Sequence, residues 1–339
     1  MIVFIDPYEG RGGGQAVLEE ILGVFASRGH ELLLAMPAAG RSKIVIPESV
    51  ETCEISQLES VIADRPSVLV SNANSSHIKT LIFQHSLRKK GNVCRAIAIL
   101  HNYPRNRLRK FAVKTAVARF DAAIAVEPGL SILRSDVVIP SWLSAAPKQP
   151  VISRDRSFDQ KIIKCFARPD PSKGLHLLPG IFAAMERLGF TCQVALGDAL
   201  ESNSRYVTKL TSDLSPWLVR GRRGPEWLEP GDIFIIPSVY GEAACLSAQE
   251  AMSRGAFVVA SRVGLMPYLS PTNEGIRTFG AGSEKSAIAV LEEVAKLESS
   301  DFQSECLAGA REISRRNGRW YSDVAGLLSQ EDSKLVVSN

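Results

Sequence analysis

Short runs of apolar residues alternate with helical patterns along the first part of the chain. The helical pattern is clearest in residues 15–27, directly after the first apolar run. Continuous apolar runs are typical of parallel strands, because helices cover both faces of such a sheet. The pattern predicts an α/β domain with a parallel sheet, whose strands include residues 2–5, 31–35, 67–70, 96–100, 122–126 and 137–139.

Residues 140–160 interrupt this alternation with three prolines and many polar side chains, as is typical of an interdomain linker. The alternation then resumes, which predicts a second parallel sheet. Its strands are residues 162–166, 193–196, 233–236 and 257–260, and helices are predicted at 175–188, 284–298 and 302–329. We therefore predict two domains, residues 1–148 and 149–318, followed by a C-terminal helix and tail at 319–339.

Two glutamates, Glu242 and Glu250, are separated by seven residues in the run DIFIIPSVYGEAACLSAQEAMSRGAFVVAS, which starts at Asp232. The run predicts a buried strand, a helix that begins near Ala244, and a second buried strand. The unpaired amides of residues 243–246 at such a helix start favour an anion. The two carboxylates would lie up to ~12 Å apart along a helical axis, which suits the length of a nucleotide sugar.

Two cations, Arg168 and Lys173, follow the strand at 162–166 in the sequence CFARPDPSKGLHLL. A fork-shaped guanidinium and a compact ammonium at the carboxyl end of a strand suit a diphosphate. For an isolated pair of this kind the alternative is two solvated surface charges.

A glycine-rich loop, GRGGG at residues 10–14, follows the first strand. Glycines let the backbone approach a phosphate or a sugar closely. The loop fails the GxGxxG pattern of a dinucleotide site, because Gln15 occupies the third glycine position. No DxD triplet occurs in the chain, which favours charge neutralisation by Arg168, Lys173 and backbone amides without a metal ion.

The run from Asp232 resembles the donor-site signature of the retaining glycosyltransferases of family 4, which have the GT-B fold. That fold has two Rossmann-like parallel-sheet domains facing across a cleft, and its last helix crosses back to the first domain. The likeness covers most of the chain, including the opening GRGGGQAVLEEILGVFASRGHEL, and its specific motifs lie in residues 161–265.

The resemblance implies a role for each candidate residue. Glu242 would contact the donor sugar and Glu250 the ribose, while Arg168 and Lys173 would clamp the diphosphate. His101, after the strand at 96–100, is similar to a histidine that this family often places against the donor sugar. The other donor-binding positions would be Gly12, Gly13, Gly14, Ala243, Ala244, Cys245 and Leu246, with no metal ion and no other cofactor.

Two departures from the family pattern concern the donor site. Ala167 replaces a glycine at the end of the first strand of the second domain. Ala243-Ala244-Cys245 replaces a glycine, an aromatic residue and a glycine after Glu242. The second departure implies a donor pocket of different shape.

The activity that the resemblance implies is transfer of a hexose from a nucleotide diphosphate sugar to an acceptor hydroxyl, with retention of anomeric configuration. The product would be a polysaccharide, a glycolipid or another glycoconjugate. A departing phosphate oxygen is the expected base, because no carboxylate is clearly placed for double displacement. Two alternatives stay open: a nucleotide-sugar epimerase or hydrolase on the same fold, and a non-catalytic nucleotide-binding scaffold derived from a transferase.

The net charge of +4 conceals a basic stretch, residues 65–119, with twelve Lys or Arg and no Asp or Glu. Nucleic acid, anionic lipid and a phosphorylated acceptor are the partners that such a stretch suggests. Few aromatic residues occur in it, which argues against single-stranded nucleic acid. We expect no nucleic-acid partner, and Arg105, Arg107 and Arg109 are acceptor-side candidates for a glycan, a lipid-linked acceptor or an anionic membrane surface.

Six cysteines are scattered along the chain without a CxxC pair, as in proteins with reduced core thiols. No apolar stretch approaches the ~20 residues of a membrane span. We therefore expect a cytoplasmic protein, with peripheral contact at the inner membrane face left open by the basic stretch.

Overall fold

The computed structural model describes residues 1–9, 13–62, 65–73, 75–101, 107–126, 137–138, 162–197, 205–222, 224, 227–240, 242, 245–270 and 272–329. The chain divides into two compact units. The first comprises Met1–Ala145 together with Gly318–Asn339, and the second comprises Ala146–Asn317. The predicted linker at 140–160 lies outside the described residues, so the domain bounds at 148 and 149 stay predictions.

The first unit is built around a sheet of seven strands, and every pair of neighbours is parallel. Its strands are β1 (Ile2–Ile5), β2 (Leu32–Ala35), β3 (Glu51–Cys53), β4 (Ser67–Ser71), β5 (Cys94–Leu100), β6 (Ala122–Ala125) and β7 (Val137–Val138). The helices described between them are α1 (Gly13–Ser27), α2 (Ala38–Arg41), α3 (Leu58–Val61), α4 (His77–Lys89) and α5 (Arg107–Val117).

The strand order of this sheet, β3-β2-β1-β4-β5-β6-β7, reverses direction at β1. Ile2 of β1 lies opposite Leu32 of β2 on one side and opposite Val68 of β4 on the other. Along the sequence, β2 and β3 are added on one side of β1. The chain then returns to the centre, and β4 to β7 are added on the other side. Such a reversal opens a crevice at the carboxyl ends of the central strands, which is where ligands bind in open parallel sheets.

The second unit has a five-stranded parallel sheet in the order β12-β11-β10-β8-β9. Its strands are β8 (Ile162–Ala167), β9 (Thr191–Leu196), β10 (Ile233–Ile236), β11 (Phe257–Ser261) and β12 (Ile276–Phe279). The helices are α6 (Leu178–Glu186), α7 (Arg205–Leu214), α8 (Leu246–Ser253), α9 (Glu284–Ala295) and α10 (Ser299–Ser329). The last part of α10, from Gly318, belongs to the first unit.

Strands at the centre of each sheet are buried along their whole length. All residues of β1, β10 and β11 are buried. Burial of one Val, Leu, Ile or Phe side chain contributes roughly 1.5–3 kcal/mol relative to exposure. Polar side chains come directly after these runs, where Asp6 follows β1 and Ser238 follows Pro237 at the end of β10. The cores therefore hold the carboxyl ends of the strands, and the polar groups on them, in fixed positions.

The predicted α/β fold with two parallel sheets is confirmed, but the hydrophobic pattern misses β3 and β12. Both strands lie at an edge of their sheet. Glu51 and Thr52 of β3 are exposed, and Arg277 and Thr278 of β12 are half-buried. An edge strand has a neighbour on one side alone and accommodates polar residues, so it lacks a continuous apolar run.

The predicted start of the helix after β10 is wrong. The helix α8 begins at Leu246 rather than near Ala244, because Cys245 before it has a left-handed backbone with φ of 41°. The helix predicted at 175–188 begins as a 3-10 turn, Leu175–Leu177, and continues as α6. Within the described residues, none of the helices combines the length and the apolar character needed to cross a membrane.

Candidate active site

A capped turn at the carboxyl end of β8 carries the lysine that the sequence assigns to a diphosphate. The segment Pro171–Lys173 forms one turn of 3-10 helix. Asp170 caps it by accepting hydrogen bonds from the amide of Ser172 at 2.8 Å and from its hydroxyl at 2.6 Å. Proline presets the backbone at the first position, and Gly174 ends the turn in the left-handed conformation. The sequence Asp-Pro-Ser-Lys-Gly thus fixes this turn locally.

Backbone contacts dock the turn on the loop that follows β10. The carbonyl oxygen of Ser172 accepts hydrogen bonds from the amides of Val239 at 2.8 Å and Tyr240 at 3.3 Å. A Cβ atom at Gly174 would lie 1.9 Å from the carbonyl oxygen of Pro237, so glycine alone fits there. The two loops meet because β8 and β10 are neighbours in the sheet.

Lys173 and Glu242 form an ion pair where these two loops meet. The ammonium group contacts Glu242 Oε1, and the hydroxyl of Ser238 donates a 2.6 Å hydrogen bond to the same oxygen. The two charged side chains are 24% and 9% exposed. With so little solvent the contact is a strong charge-assisted one, and loss of either partner would leave a poorly hydrated charge. The residues predicted for the diphosphate and for the sugar therefore lie side by side.

Arg168, the other predicted diphosphate ligand, directly follows β8 and is exposed. Its side chain packs over Gly197 at the end of β9, where a Cβ atom would lie 3.3 Å from Arg168 Cγ. In the part of the chain that the structure describes, no carboxylate forms an ion pair with Arg168. Arg168 thus has no carboxylate partner among the described residues, whereas Lys173 is already neutralised by Glu242.

The start of α8 lies next to this ion pair in the sequence. Cys245 occupies the N-cap position, and its left-handed φ is rare for a residue other than glycine. Its thiol is buried, and burial raises the pKa of the Cys245 thiol, so the group stays protonated. Leu246 and Ser247 open the helix, where amides have no acceptor within the helix. Of the other predicted donor residues, Glu250 is half-buried on α8, while Ala243 and Ala244 lie outside the described residues.

A chain of polar side chains joins three strands of the first unit at their carboxyl ends. Asp6 after β1 accepts a 2.8 Å hydrogen bond from the side-chain amide of Asn72, which follows β4. The other end of that amide, Asn72 Oδ1, lies 3.0 Å from His101 Nε2 after β5. Gln15 of α1 donates to the same oxygen of Asp6 at 3.2 Å, and Asp6, Asn72 and Gln15 are all buried. The predicted residue His101 is thus one end of a buried polar chain.

This chain fixes the protonation of His101. Because the NH₂ group of Asn72 donates to the carboxylate of Asp6, the amide oxygen faces His101 and can only accept. The proton must therefore sit on Nε2 of the ring, which leaves Nδ1 with a lone pair. Desolvation lowers the pKa of His101 to about 4, so the ring is neutral at physiological pH. His101 is therefore equipped to accept a hydrogen bond through Nδ1.

The remaining predicted residues are placed differently by the structure. Gly12 and Arg105 lie outside the described residues. Gly13 and Gly14 are the first residues of α1, and a Cβ atom at Gly14 would meet no atom within 4 Å. Arg107 and Arg109 are exposed on α5. Within the described residues, no group of three or more His, Cys, Asp or Glu is placed to hold a metal ion.

The basic stretch at 65–119 is not uniformly free of acidic neighbours. Arg88 pairs with Asp121 at 3.0 Å, and Lys90 pairs with Glu59 at 3.1 Å. Arg65 at the beginning of the stretch pairs with Glu31 at 3.1 Å. The fold therefore brings carboxylates from outside the stretch to some of its cations, which the sequence count does not reveal.

Comparison of the whole chain with solved structures gives likenesses that extend over both units. The HepE protein of Anabaena, solved with UDP and glucose, shares 17% identity over 97% of this chain and 99% of its own, with a TM-score of 0.78. Sucrose-phosphate synthase from Thermosynechococcus elongatus shares 15% over 96% and 99%, with a TM-score of 0.74. A glycosyltransferase from Rickettsia africae shares 11% over 96% and 98%, with a TM-score of 0.70. These neighbours are GT-B glycosyltransferases.

The protein has the GT-B fold. No protein-family profile matches the sequence, and no curated protein sequence does. Low identity together with a high TM-score means that the likeness lies in the arrangement of the backbone. The GT-B assignment therefore rests on the structure, and it agrees with the resemblance found around Glu242 and Glu250.

The sequence does not predict three polar residues that contact the candidate site residues: Asp6, Asn72 and Ser238. Each follows a buried strand by no more than two positions, at the carboxyl edge of a parallel sheet. The rule that singles out His101, a polar residue directly after an apolar strand, also applies to Asp6 and Asn72. Applied to every strand, that rule finds the whole chain of polar residues.

Proposed function

We propose that the protein is a glycosyltransferase that moves a hexose from a nucleotide diphosphate sugar to an acceptor hydroxyl with retention of configuration. The observation that carries the proposal is the contact between Lys173 and Glu242 in a GT-B fold, with the exposed Arg168 in the same loop as Lys173 after β8. A cation, a carboxylate and a second cation at neighbouring strand ends are the groups that a sugar joined to a diphosphate requires.

Binding of the donor would change the partner of Lys173. Without donor, the ammonium group of Lys173 neutralises Glu242. A diphosphate between Lys173 and Arg168 would draw the ammonium group toward its oxygens and free Glu242 to accept hydrogen bonds from sugar hydroxyls. Ser238 would keep the carboxylate oriented during this exchange, because its hydroxyl holds Oε1 in place.

The chemical step needs stabilisation of a leaving diphosphate. The acceptor oxygen forms a bond to the anomeric carbon on the face from which the diphosphate departs, and the bond from that carbon to the phosphate oxygen breaks. The acceptor proton passes to the departing phosphate oxygen, and a nucleoside diphosphate is released. Arg168, Lys173 and the amides of Leu246 and Ser247 would stabilise the growing negative charge, without a metal ion or other cofactor.

The neutral ring of His101 suits a contact with the donor sugar. A hydroxyl group can donate to Nδ1, which carries the lone pair, and this contact needs no change of charge. Acid–base catalysis by His101 near neutral pH is disfavoured by its low pKa.

The donor panel should start with UDP-glucose, because HepE of Anabaena is solved with that nucleotide sugar. A thermal-shift screen of UDP, GDP, ADP and their sugars identifies the nucleotide, since a tight ligand stabilises the fold by mass action. Glycans and lipid-linked acceptors are then tested with the preferred donor, and the anomeric configuration of the product is read by NMR.

Arg168→Ala tests the role of the cations in turnover. We expect the rate of nucleoside diphosphate release to fall about 100-fold, because the variant lacks one positive charge that stabilises the leaving group. Arg187→Ala is the matched control, since Arg187 is an exposed arginine of the same unit at the end of α6. An inverted product or undiminished turnover in Arg168→Ala would contradict the proposal.

Two further outcomes would replace the proposal with its alternatives. Release of nucleoside diphosphate, or conversion of the sugar, at the same rate without acceptor would indicate a hydrolase or an epimerase. Saturable nucleotide binding without turnover across the panel would indicate a non-catalytic scaffold.

A further inference from the structure

Helix α5 exposes large apolar side chains on the side that faces away from its sheet. Leu108 is 83% exposed and Phe111 is 72% exposed. They are three residues apart and therefore share one face of the helix. The buried residues Ala116 and Val117 attach another face of α5 to the domain. Leu108 and Phe111 thus form an outward apolar stripe rather than part of the core.

Helix α4 repeats this arrangement. Ile78 and Ile82 are 58% and 60% exposed and lie four residues apart on one face. The buried residues of α4 lie at 77, 80, 84 and 87, on the opposite face. A single exposed isoleucine is ordinary on a protein surface. Two exposed large apolar side chains on one face of each of two successive helices instead form a patch of the kind that marks an interaction site.

The two stripes belong to the same surface. α4 connects β4 to β5 and α5 connects β5 to β6, and the three parallel strands are adjacent in this order. Right-handed crossovers that advance in one direction place both helices on the same face of the sheet. α4 and α5 also pack against each other. We call their outward side the outer face, defined by Ile78, Ile82, Leu108 and Phe111.

The outer face carries positive charge without acidic residues. Neither α4 nor α5 contains an Asp or Glu. Exposed cations flank the apolar stripes at Lys79, Lys89, Arg107 and Lys114. Among the residues that the structure describes, no carboxylate pairs with these four, in contrast to Arg88 with its partner Asp121.

We propose that the outer face docks on an anionic lipid bilayer. Leu, Ile and Phe side chains enter the boundary between headgroups and acyl chains, while lysine and arginine contact lipid phosphates around them. Charge repulsion disfavours a second copy as the occupant, because a two-fold contact would bring two faces with cations and no carboxylates together. Nucleic acid would leave the aliphatic side chains without a role, since bases stack on aromatic rings.

Sedimentation of the full chain with lipid vesicles tests the proposal, without donor or acceptor, so the result does not depend on the proposed glycosyl transfer. Vesicles of phosphatidylcholine alone are compared with vesicles that contain about one third phosphatidylglycerol. We expect binding to the anionic vesicles that is at least about tenfold tighter than to neutral ones and that weakens as salt is added.

Two double variants separate the apolar and the charged parts of the outer face. Leu108→Ser/Phe111→Ser and Lys89→Ser/Lys114→Ser should each weaken binding to anionic vesicles by about tenfold or more. Val45→Ser is the matched control, because Val45 is as exposed as Phe111, at 72%, but lies on neither helix, and it should bind as the parent does. All three variants change exposed positions, and unchanged thermal unfolding confirms that each is folded.

Three outcomes would overturn the proposal. The first is absence of vesicle binding, or equal binding to neutral and anionic vesicles. The second is a lower mass of Leu108→Ser/Phe111→Ser in sedimentation analysis, which would assign the outer face to contact with a second copy. The third is single-stranded RNA binding that Lys89→Ser/Lys114→Ser weakens and Leu108→Ser/Phe111→Ser does not, with vesicle binding unaffected by either.

Discussion

Two polar clusters of this protein occupy equivalent places, at the carboxyl ends of central parallel strands, yet they differ in charge and in partners. In the first unit, Asp6, Asn72 and His101 form a chain, buried at Asp6 and Asn72, in which each contact is a directed hydrogen bond. In the second unit, Lys173 and Glu242 form an ion pair, and the exposed Arg168 lies in the same loop as Lys173.

The same kind of sheet edge thus supports two kinds of chemistry. The amide of Asn72 orients its neighbours and cannot exchange them without leaving buried polar groups unsatisfied. An ammonium group has no fixed direction, so Lys173 can turn from the carboxylate to a phosphate of the donor, while sugar hydroxyls replace the ammonium group at Glu242. The first cluster therefore holds one geometry, whereas the second is suited to exchanging a ligand.

The largest expected effect comes from removing the ion pair. Glu242→Gln and Lys173→Met should each lower donor turnover by about 100-fold to 1000-fold, because both groups contact the donor in the proposed reaction. The double variant should lose much less than the product of the single losses, since the residues act together. Each single variant should also lose about 2 kcal/mol of unfolding free energy, less than for a fully buried pair, because Lys173 is 24% exposed.

The exposed pair Lys209 and Asp213 on α7 is the control for this cycle. Its removal by Lys209→Met and Asp213→Asn should change neither turnover nor, beyond about 0.5 kcal/mol, the unfolding free energy measured in urea. If Glu242→Gln turned over the donor as fast as the parent, the second cluster would not be the site that exchanges a ligand.

Gly174→Ala tests whether the second cluster depends on the docking of its two loops. The left-handed backbone and the carbonyl oxygen of Pro237, 1.9 Å from the added Cβ, should together cost about 3 kcal/mol or more of unfolding free energy. Gly189 also has a positive φ, but no atom lies within 4 Å of an added Cβ. Gly189→Ala should therefore cost only about 1–2 kcal/mol, and equal losses in the two variants would show that docking contributes nothing.

Acid should destabilise the protein through His77 and His101 of the first unit, whose rings lose hydration on folding. Desolvation lowers the pKa values of His77 and His101 from 6.5 to about 4. Below pH 6.5 the unfolded chain binds protons that the folded protein does not, so stability falls as pH falls from about 6.5 toward 4. Between pH 7.5 and 5.0 each histidine should remove roughly 2 kcal/mol of unfolding free energy.

Urea unfolding at the two pH values measures this loss, and His77→Gln should recover about half of it. His85→Gln, which changes a histidine exposed on α4, should keep the full loss of the parent. If His77→Gln also keeps the full loss, its burial is not the cause of the acid sensitivity.

The tautomer of His101 should depend on Asn72. In the parent the proton sits on Nε2, because Asn72 Oδ1 accepts from it. In Asn72→Ala both neutral tautomers should be populated, and the 15N chemical shifts of the ring nitrogens distinguish them. Gln15→Ala removes a hydrogen bond to Asp6 but none to His101, so it should keep the parent shifts. Unchanged shifts in Asn72→Ala would show that the chain does not fix the ring.

The smallest effect is expected at Cys245. Cys245→Gly removes a buried thiol but relieves a left-handed backbone, so its unfolding free energy should stay within about 1 kcal/mol of the parent. Cys192 on β9 is equally buried, at 6% exposed, but has an ordinary strand backbone. Cys192→Gly should therefore lose about 2 kcal/mol in urea unfolding, and a similar loss at both positions would show that Cys245 is not strained.

Much of the second cluster follows from the sequence, because Glu242, Lys173 and Arg168 belong to short motifs beside strongly apolar strands. Their direct contact does not follow, since Lys173 and Glu242 are 69 residues apart. The first cluster is harder to predict, because Asp6 and Asn72 belong to no recognisable motif. Each is a single polar residue that directly follows a strand. The roles in donor binding of Glu242, Lys173 and Arg168, like those of His101, Glu250 and the glycines at 12–14, stay predictions.

The sequence alone predicts the central strands and several of the helices, because continuous apolar runs and helical spacing are local properties, but it does not predict the edge strands β3 and β12. It also determined which loops carry cations and carboxylates. Which of those loops meet depends on the tertiary fold: β10 pairs with β8 and not with β9, so Lys173 lies against Glu242. The same fold lets β1, β4 and β5 bring Asp6, Asn72 and His101 together. Strand order depends on many weak packing interactions between segments that are far apart in the chain. No single stretch of sequence therefore predicts it.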